Sequence, residues 1–302
     1  MKVDENKDKQ QTVEWSFSFE KLGDQIGDFF KSLGDKGDQE VKHGQFSEPV
    51  GAATSARVRI DFSVGESTVT ALSASENLIE ADLTYVGEVE LKATGEQQKV
   101  VHLSQGAGAA EWFRSAFGWI GSGQRLRWDI ALTPNIPLEL DLHGGAGRST
   151  LDLSALQLTG MNMGAGAGEF VLQLPGGKYN ARYSGGVGRS SISAPSGADI
   201  DLTVSSGAGE VNLDIKDGAA LNTRISGGVG QCNVSVPGGA AVRLEARTGI
   251  GSINAGAGLQ RISSSGGEFF DKGGIWQTAS FETAERKIVI HFEGGVGALN
   301  VR

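Results

Sequence analysis

The chain has 302 residues, and 39% of them are hydrophobic, which is enough for a large buried core. Its net charge of -9 at pH 7 argues against nucleic acid or anionic lipid as the main partner, because clustered Lys and Arg side chains bind both. Cys232 is the only cysteine, which excludes an intramolecular disulfide and a disulfide-stapled secreted fold.

Residues 1–50 form a charged N-terminal segment without repeats. Helical spacing predicts an amphipathic helix near residues 18–34, between polar stretches 1–12 and 35–48 that we expect to be linkers or disordered. This helix is expected either to cover the open edge of the first coil or to dock on a protein or, less favourably, a membrane. Its apolar face contains Leu22, Ile26, Phe29, Phe30 and Leu33.

Targeting and membrane segments are not evident in the sequence. The N-terminus lacks the apolar stretch of a signal peptide, and no later segment has 18 uninterrupted apolar residues. These observations predict a cytoplasmic protein that is at most peripheral to the membrane. The alternative is the cell surface, if a signal sequence has been removed.

Residues 51–302 are predicted to form one repeat domain. Its first part has irregular repeats, with glycines at Gly65, Gly87 and Gly108 that predict three coils. An aromatic insertion at 111–123 follows, and it is expected either to pack on the flank of the stack or to bind a partner. The insertion contributes Trp112, Phe113, Phe117 and Trp119 to the candidate interaction residues, together with Phe29, Phe30 and Leu33.

From residue 138 onward a glycine cluster recurs at a spacing of 20 or 21 residues, and Ser-Gly-Gly-Val-Gly appears at both 184–188 and 226–230. Apolar residues alternate with polar ones on both sides of each cluster, so that a strand enters and a strand leaves every glycine corner. Turn sequences such as Pro195-Ser196-Gly197 separate successive units. The structural corner glycines are Gly147, Gly168, Gly188, Gly209, Gly230, Gly251 and Gly297.

This pattern predicts an all-β, single-stranded β-solenoid-like stack of about eleven coils of roughly 21 residues over residues 52–302. One of these coils is expected near Gly273-Gly274, because the interval from Gly251 to Gly297 is about two periods. Side chains at equivalent positions would then stack coil upon coil.

The sequence contains little evidence for a catalytic, metal-binding or nucleotide-binding site. The glycines precede strands and no Gly-Lys-Ser/Thr follows them, which argues against a nucleotide, and the period differs from that of calcium-binding rolls. The four histidines are scattered, and Cys232 occupies an inward position typical of a small core residue. We therefore predict no catalytic residue, metal or cofactor. A carbohydrate-active solenoid enzyme is a less favoured alternative, with a candidate cluster of Asp199, Asp201, Asp214, Arg182 and Arg224.

The serial Ser-Gly-Gly-Val-Gly corners and the C-terminal stretch Lys287–Arg302, which ends Gly-Gly-Val-Gly-Ala-Leu-Asn-Val-Arg, resemble the bacterial toast-rack, or LiaF-like, family. Proteins of this family are named as adhesins and as cell-wall-active-antibiotic response proteins. The resemblance implies a β-solenoid-like stack and a non-catalytic role in envelope-stress signalling. Family members are often tied to the membrane by helices, and this chain departs from that pattern.

The function predicted from these observations is that of a non-catalytic scaffold, which binds a protein partner in bacterial envelope-stress regulation. The alternative is a surface adhesin or a structural filament subunit, which the outward ladders of Ser, Thr and Asn also favour. The oligomeric state remains open at this point.

Overall fold

The computed structural model describes residues 41–62, 64–105, 126–256, 258–266 and 272–302, and their regular structure consists of β-strands. None of these residues belongs to a helix of the length and hydrophobicity needed to cross a bilayer. The predicted helix at 18–34 and the whole insertion at 111–123 lie outside the described residues. The strands are β1 (Val41–Pro49), β2 (Ser55–Asp61), β3 (Gly65–Ala71), β4 (Asn77–Val86), β5 (Val89–Thr94), β6 (Gln98–Gln105), β7 (Arg127–Leu132), β8 (Leu138–His143), β9 (Ala146–Asp152), β10 (Leu158–Gly164), β11 (Ala167–Gln173), β12 (Gly177–Ala194), β13 (Ala198–Ile215), β14 (Ala220–Ser235), β15 (Val242–Asn254), β16 (Gln260–Ser265), β17 (Lys272–Gln277) and β18 (Ile288–Val301).

The repeat unit of the fold is a rung, which consists of an incoming strand, a glycine corner and an outgoing strand. Strands β12 to β15 and β18 each contain both halves of a rung, whereas β2 with β3, β8 with β9, and β10 with β11 form rungs from two strands. Neighbouring rungs pair in parallel with residues about one period apart opposite each other, as Gly188 pairs with Gly209 and Gly209 with Gly230. The predicted solenoid-like stack is thus confirmed.

The hydrophobic core lies between the incoming and outgoing halves of the rungs. In the rung of Gly209, Ile200, Leu202 and Val204 on the incoming side are buried, and Val211 and Leu213 on the outgoing side are buried with them. The polar residues between them point outward, as alternation in a strand requires. Residues of this kind from all rungs form one continuous hydrophobic cluster.

The N-terminal end of the stack departs from simple winding. The rung of β2 and β3 lies between the rung of β8 and β9 on one side and strands β6 and β7 on the other. Strand β5 pairs antiparallel with β6, and β4 pairs antiparallel with both β7 and β1. The chain around Gly87 therefore forms antiparallel pairs instead of the predicted coil, and Gly108 lies outside the described residues.

Strand β1 corrects the expectation of a linker or disorder over 35–48, because Val41–Pro49 pairs with β4 along its whole length. The polar sequence of this strand does not indicate that it belongs to the sheet, because the strand is held by its hydrogen-bond ladder and a few specific contacts. The rings of Phe46 and Tyr85 lie 6.3 Å apart, and the Nζ atom of Lys99 lies 2.7 Å from a Glu48 carboxylate oxygen.

The C-terminal end also rearranges the order of the rungs. Strand β18 inserts between β14 and β15, so that Gly297 pairs with Gly230 on one side and Gly251 on the other. The predicted coil near Gly273-Gly274 is instead strand β17, which runs antiparallel to β15 and β16. Neither of these two glycines has the positive φ of a corner glycine, so the chain does not turn a corner there.

Candidate interaction surfaces

The seven predicted corner glycines lie in one column along the stack. Their φ angles run from +135° to +150°, a conformation that L side chains rarely adopt. A methyl group at any of them would also overlap the backbone carbonyl oxygen of the stacked glycine in the neighbouring rung, which is Gly65 in the case of Gly147. Glycine is therefore required at the corners by both backbone conformation and close approach of the rungs.

The residue before each corner glycine is apolar and is exposed or half-buried, and none of the seven belongs to the buried core. These residues pair with one another from rung to rung and form a row across seven consecutive rungs, which we call the corner ridge. Six strand spacings of about 4.8 Å give the ridge a length of roughly 29 Å. In stacking order its members are Ala146, Ala167, Val187, Ala208, Val229, Val296 and Ile250.

The exposure of the corner ridge is high for branched apolar side chains. Val187 is 49% exposed, Val229 57%, Val296 47% and Ile250 52%. Single exposed apolar residues are ordinary on protein surfaces, whereas a contiguous row of them is a candidate interaction surface. Sequence reasoning missed this row because it treated the valine as part of the corner motif. The recurrence of Val or Ala immediately before the glycine was the signal that could have revealed it.

The outward face of the outgoing strands carries an asparagine ladder. Asn233 donates its side-chain amide to Asn212 at 2.9 Å and accepts one from Asn300 at 2.9 Å, and Asn254 donates to Asn300 at 2.8 Å. One position after the corner, ion pairs join neighbouring rungs, as between Arg148 and Glu169. Much of the hydrogen-bonding capacity of this face is thus used within the stack.

The candidate enzyme cluster is brought together only in part, because four of its residues lie on the incoming halves of β12 to β14 and Asp214 does not. Asp199 and Asp201 lie on the incoming half of β13, whereas Asp214 lies on its outgoing half, on the other side of the core. Asp199 pairs with Lys178 at 3.2 Å, Asp214 with Lys216 at 2.5 Å, and Asp201 accepts a hydrogen bond from Asn222. Arg182 and Arg224 flank Thr203 on the incoming side. The three carboxylates of the cluster are engaged by Lys178, Lys216 and Asn222, not by these two arginines.

A polar groove with a volume of about 460 Å³ lies on the outer face of β1, β4 and β7. Asp82 and Asp129 face each other across β4 and β7, but each is engaged: Gln45 donates to Asp82 at 2.9 Å and Thr68 donates to Asp129 at 2.6 Å. Hydrogen bonds from Ser75 and Asn77 lower the pKa of Glu80, the third carboxylate. A glycosidase acid requires the opposite shift, so Glu80 does not suit that role.

The four histidines each approach a carboxylate of the surface rather than one another: His43 and Asp82, His102 and Asp61, His143 and Asp141, and His291 and Glu245. Within the described ranges, no group of three or more His, Cys, Asp or Glu side chains is placed to hold a metal ion. Cys232 is buried at an inward position, and burial raises the pKa of its thiol to about 12. A neutral thiol of this kind is a poor nucleophile.

The family described as the N-terminal domain of toast_rack, DUF2154, matches residues 35–193, which is just over half of the chain. The chain belongs to the toast-rack family. No curated protein matches it in sequence. The toast-rack match includes β1 and ends within β12, so it covers the irregular N-terminal end and the first regular rungs.

Crystal structures with similar chains carry names that refer to adhesion. A "putative cell adhesion protein" from Clostridium sporogenes ATCC 15579 is 22% identical, with a TM-score of 0.46, over 87% of this chain and 99% of that one. A "putative adhesin" from Bacteroides fragilis NCTC 9343 is 10% identical, with a TM-score of 0.36, over 89% of this toast-rack chain and 100% of that one.

The predicted interaction residues of this toast-rack protein lie outside the described residues, but the points where their segments join the fold are described. The candidates in question are Phe29, Phe30, Leu33, Trp112, Phe113, Phe117 and Trp119. Gln105 and Leu126, the described residues on either side of 106–125, lie beside the corner of the neighbouring rung near Gly65. Val41, the first described residue, lies at the same edge, since Val41 pairs with Val86 and Thr84 with Arg127.

Proposed function

We propose that this toast-rack protein is a non-catalytic scaffold that binds a protein partner through the corner ridge, in bacterial envelope-stress regulation during the response to cell-wall antibiotics. The single observation that carries the proposal is the row of Ala, Val and Ile residues across seven rungs, in which the four Val and Ile side chains are about half exposed. A stack of this kind places one apolar side chain about every 4.8 Å, which suits an extended contact with another polypeptide.

The chemistry of the remaining surface supports binding rather than catalysis. In the described residues the carboxylates that were candidates for catalysis are paired with Lys, Asn, Gln or Thr side chains. Membership of the toast-rack family supports an envelope-stress role, because the resemblance based on the glycine motif implies such a role for that family. We place the protein in the cytoplasm, peripheral to the membrane at most, and cell fractionation tests that location.

The test of the proposed function uses a strain that lacks this protein and an envelope-stress reporter induced by a cell-wall antibiotic. The strain is complemented with the wild-type chain, with Val229→Asp on the ridge, or with Val100→Asp as a matched control, because Val100 is 46% exposed but lies on β6 away from the ridge. We expect deletion to change reporter induction several-fold. The wild type and Val100→Asp should restore it, and Val229→Asp should fail. An unchanged response in the deletion strain would show the regulatory proposal to be wrong.

A surface adhesin or a structural filament subunit is the second candidate, and the polar groove favours it. Its side chains include carboxylates and amides beside the ring of Phe46, which is chemistry suited to a polar ligand such as a glycan. Protease treatment of intact cells distinguishes the candidates. Digestion of the chain on intact cells would support the adhesin, and complete protection until lysis would support the cytoplasmic scaffold.

A further inference from the structure

The outer face of the incoming half-strands of β12, β13 and β14 carries two arginines that have no partner. Arg182 and Arg224 lie in one row across these strands, on either side of Thr203, and both are exposed. Neither arginine forms a hydrogen bond or an ion pair with another residue of the described ranges. No carboxylate in contact therefore balances these two positive charges, although the net charge of the protein is -9.

A row on the outgoing side has the same arginine spacing and shows how the stack balances such charges. Arg148 and Arg189 lie two strands apart, and Glu169 lies between them. The Nε atom of Arg148 donates to a carboxylate oxygen of Glu169 at 3.0 Å, and that of Arg189 donates to Glu210 at 3.0 Å. On the incoming side the middle position is Thr203, which has a neutral hydroxyl.

Both incoming-side arginines are long enough to contact a group that lies over Thr203. Arg148 crosses the same single strand spacing, about 4.8 Å, to contact Glu169. Each guanidinium presents up to five N–H donors in a planar fork, so two of them that approach from opposite sides suit one oxyanion. The Thr203 hydroxyl lies between them as a further donor.

The next row along the same strands consists of the hydroxyls of Ser184, Ser205 and Ser226. Ser226 donates to Ser205 at 3.1 Å, which leaves the hydroxyl protons of Ser184 and Ser205 without an acceptor in the described part of the chain. In the row on the other side, Asp201 accepts a hydrogen bond from Asn222 at 2.8 Å. The free groups beside the arginines are thus mainly donors, and they lie on the serine side.

We propose that Arg182, Thr203 and Arg224 bind the anionic group of an acidic sugar, and that the serine row contacts the hydroxyl and ring oxygens of the same glycan. The outward residues of these three half-strands include no aromatic side chain on which bases would stack, so a glycan is favoured over a nucleic acid. An acidic peptide is less suited, because it brings backbone N–H donors to a surface whose free groups are mainly donors.

This binding site goes beyond the scaffold function and lies on a different surface from the corner ridge and the polar groove. It rests on the second candidate function, the adhesin, only for the place where the chain would meet such a glycan. The binding itself is a property of the purified chain.

Isothermal titration calorimetry of the full chain with an oligogalacturonate, whose sugars each carry a carboxylate, tests the site. The variant is Arg182→Ser/Arg224→Ser, and the matched control is Arg148→Ser/Arg189→Ser, which removes the same charge from a row with the same spacing. We expect the variant to bind at least tenfold more weakly than the wild type, and the control to bind like the wild type. The uncharged methyl ester of the probe should not bind, and an unchanged Tm of the variant verifies its fold.

A sulfated oligosaccharide is the second probe, and binding that depends on the same two arginines would support the site with sulfate as its anionic group. Four results would overturn the inference: no binding of either glycan, binding that persists in the variant, equal losses in the variant and the control, and tighter binding of a poly-glutamate peptide than of the glycans. Failure of this assay leaves the reporter and protease experiments intact. Complete protection from protease on intact cells would remove the adhesin without affecting the measured binding.

Discussion

In the central rungs, from β8 to β14, each strand pairs in parallel with the strand about one period away, whereas at the N-terminal end β1, β4 and β5 pair antiparallel. Stacked residues of the central rungs are equivalents of one another, so the same contact recurs along the column. At the N-terminal end the contacts are unique, such as the Lys99 ammonium held by Glu48 and the Pro49 carbonyl. The comparison shows that repeated contacts determine the strand pairing in the central rungs, whereas contacts that occur once determine it at the N-terminal end.

The largest expected effect is in the glycine column of the central rungs. Gly230→Ala should lower the free energy of unfolding by about 2–5 kcal/mol, because the new methyl group is both strained in conformation and overlaps the Gly209 carbonyl oxygen. The control is Gly227→Ala in the same motif, where a methyl group meets nothing within 4 Å and φ is not positive. Urea unfolding curves measure both variants, and equal losses would contradict the role of the corner.

A smaller effect is expected at the N-terminal end, where Lys99 is buried and its side chain is only 10% exposed. Glu48→Gln removes the carboxylate beside this ammonium, and we expect a loss of about 2–3 kcal/mol, below the full cost of breaking a buried pair because Glu48 is partly exposed.

The matched control for Glu48→Gln is Glu169→Gln, which breaks an exposed pair with Arg148 in the central rungs. It should change the free energy of unfolding by less than about 1 kcal/mol. Losses of the same size in the two variants would remove the distinction between a singular buried contact and a periodic exposed one.

Apart from the control at Glu169, the smallest effect is expected within the asparagine ladder. Asn233→Ala removes hydrogen bonds to the two stacked amides, to Glu210 and from Gln231, and should destabilise the stack by about 1–2 kcal/mol. Asn254→Ala, at the last rung, removes a single amide bond and should cost about half as much. Thermal unfolding of the two variants measures the difference, and an equal shift would indicate that position in the ladder is unimportant.

The regular half of the fold could be predicted because its information is local. The alternation around Gly209 assigns inward and outward residues, and the 21-residue period places Val211 opposite Cys232. The corner glycines followed from the same period. The pairing of strand β1 with the sheet could not be predicted. Its sequence, Val-Lys-His-Gly-Gln-Phe-Ser-Glu-Pro, lacks a sustained apolar alternation. The strand is held by partners that are distant in sequence, which lie in β4 and β6.

The candidate surface was only partly predictable. The sequence pointed to apolar residues that break the period, and the residues it named lie outside the described ranges. The corner ridge was not predicted. The alternation within a strand tells which residues face the core, but it does not apply at the corner where two strands meet. Exposure of Val229 and Ile250 became evident only from the geometry of the stacked corners.

By itself the sequence determined the rung: two alternating strands, a corner that only glycine fits, and a turn before the next unit. The tertiary structure decided the order of the rungs. It places β18 between β14 and β15, and the rung of β2 and β3 between the rung of β8 and β9 and strands β6 and β7. The physical reason is that every rung presents the same pattern of inward apolar residues and the same corner to its neighbours. Any rung can therefore stack on any other, and the connecting strands at the two ends select which rungs meet.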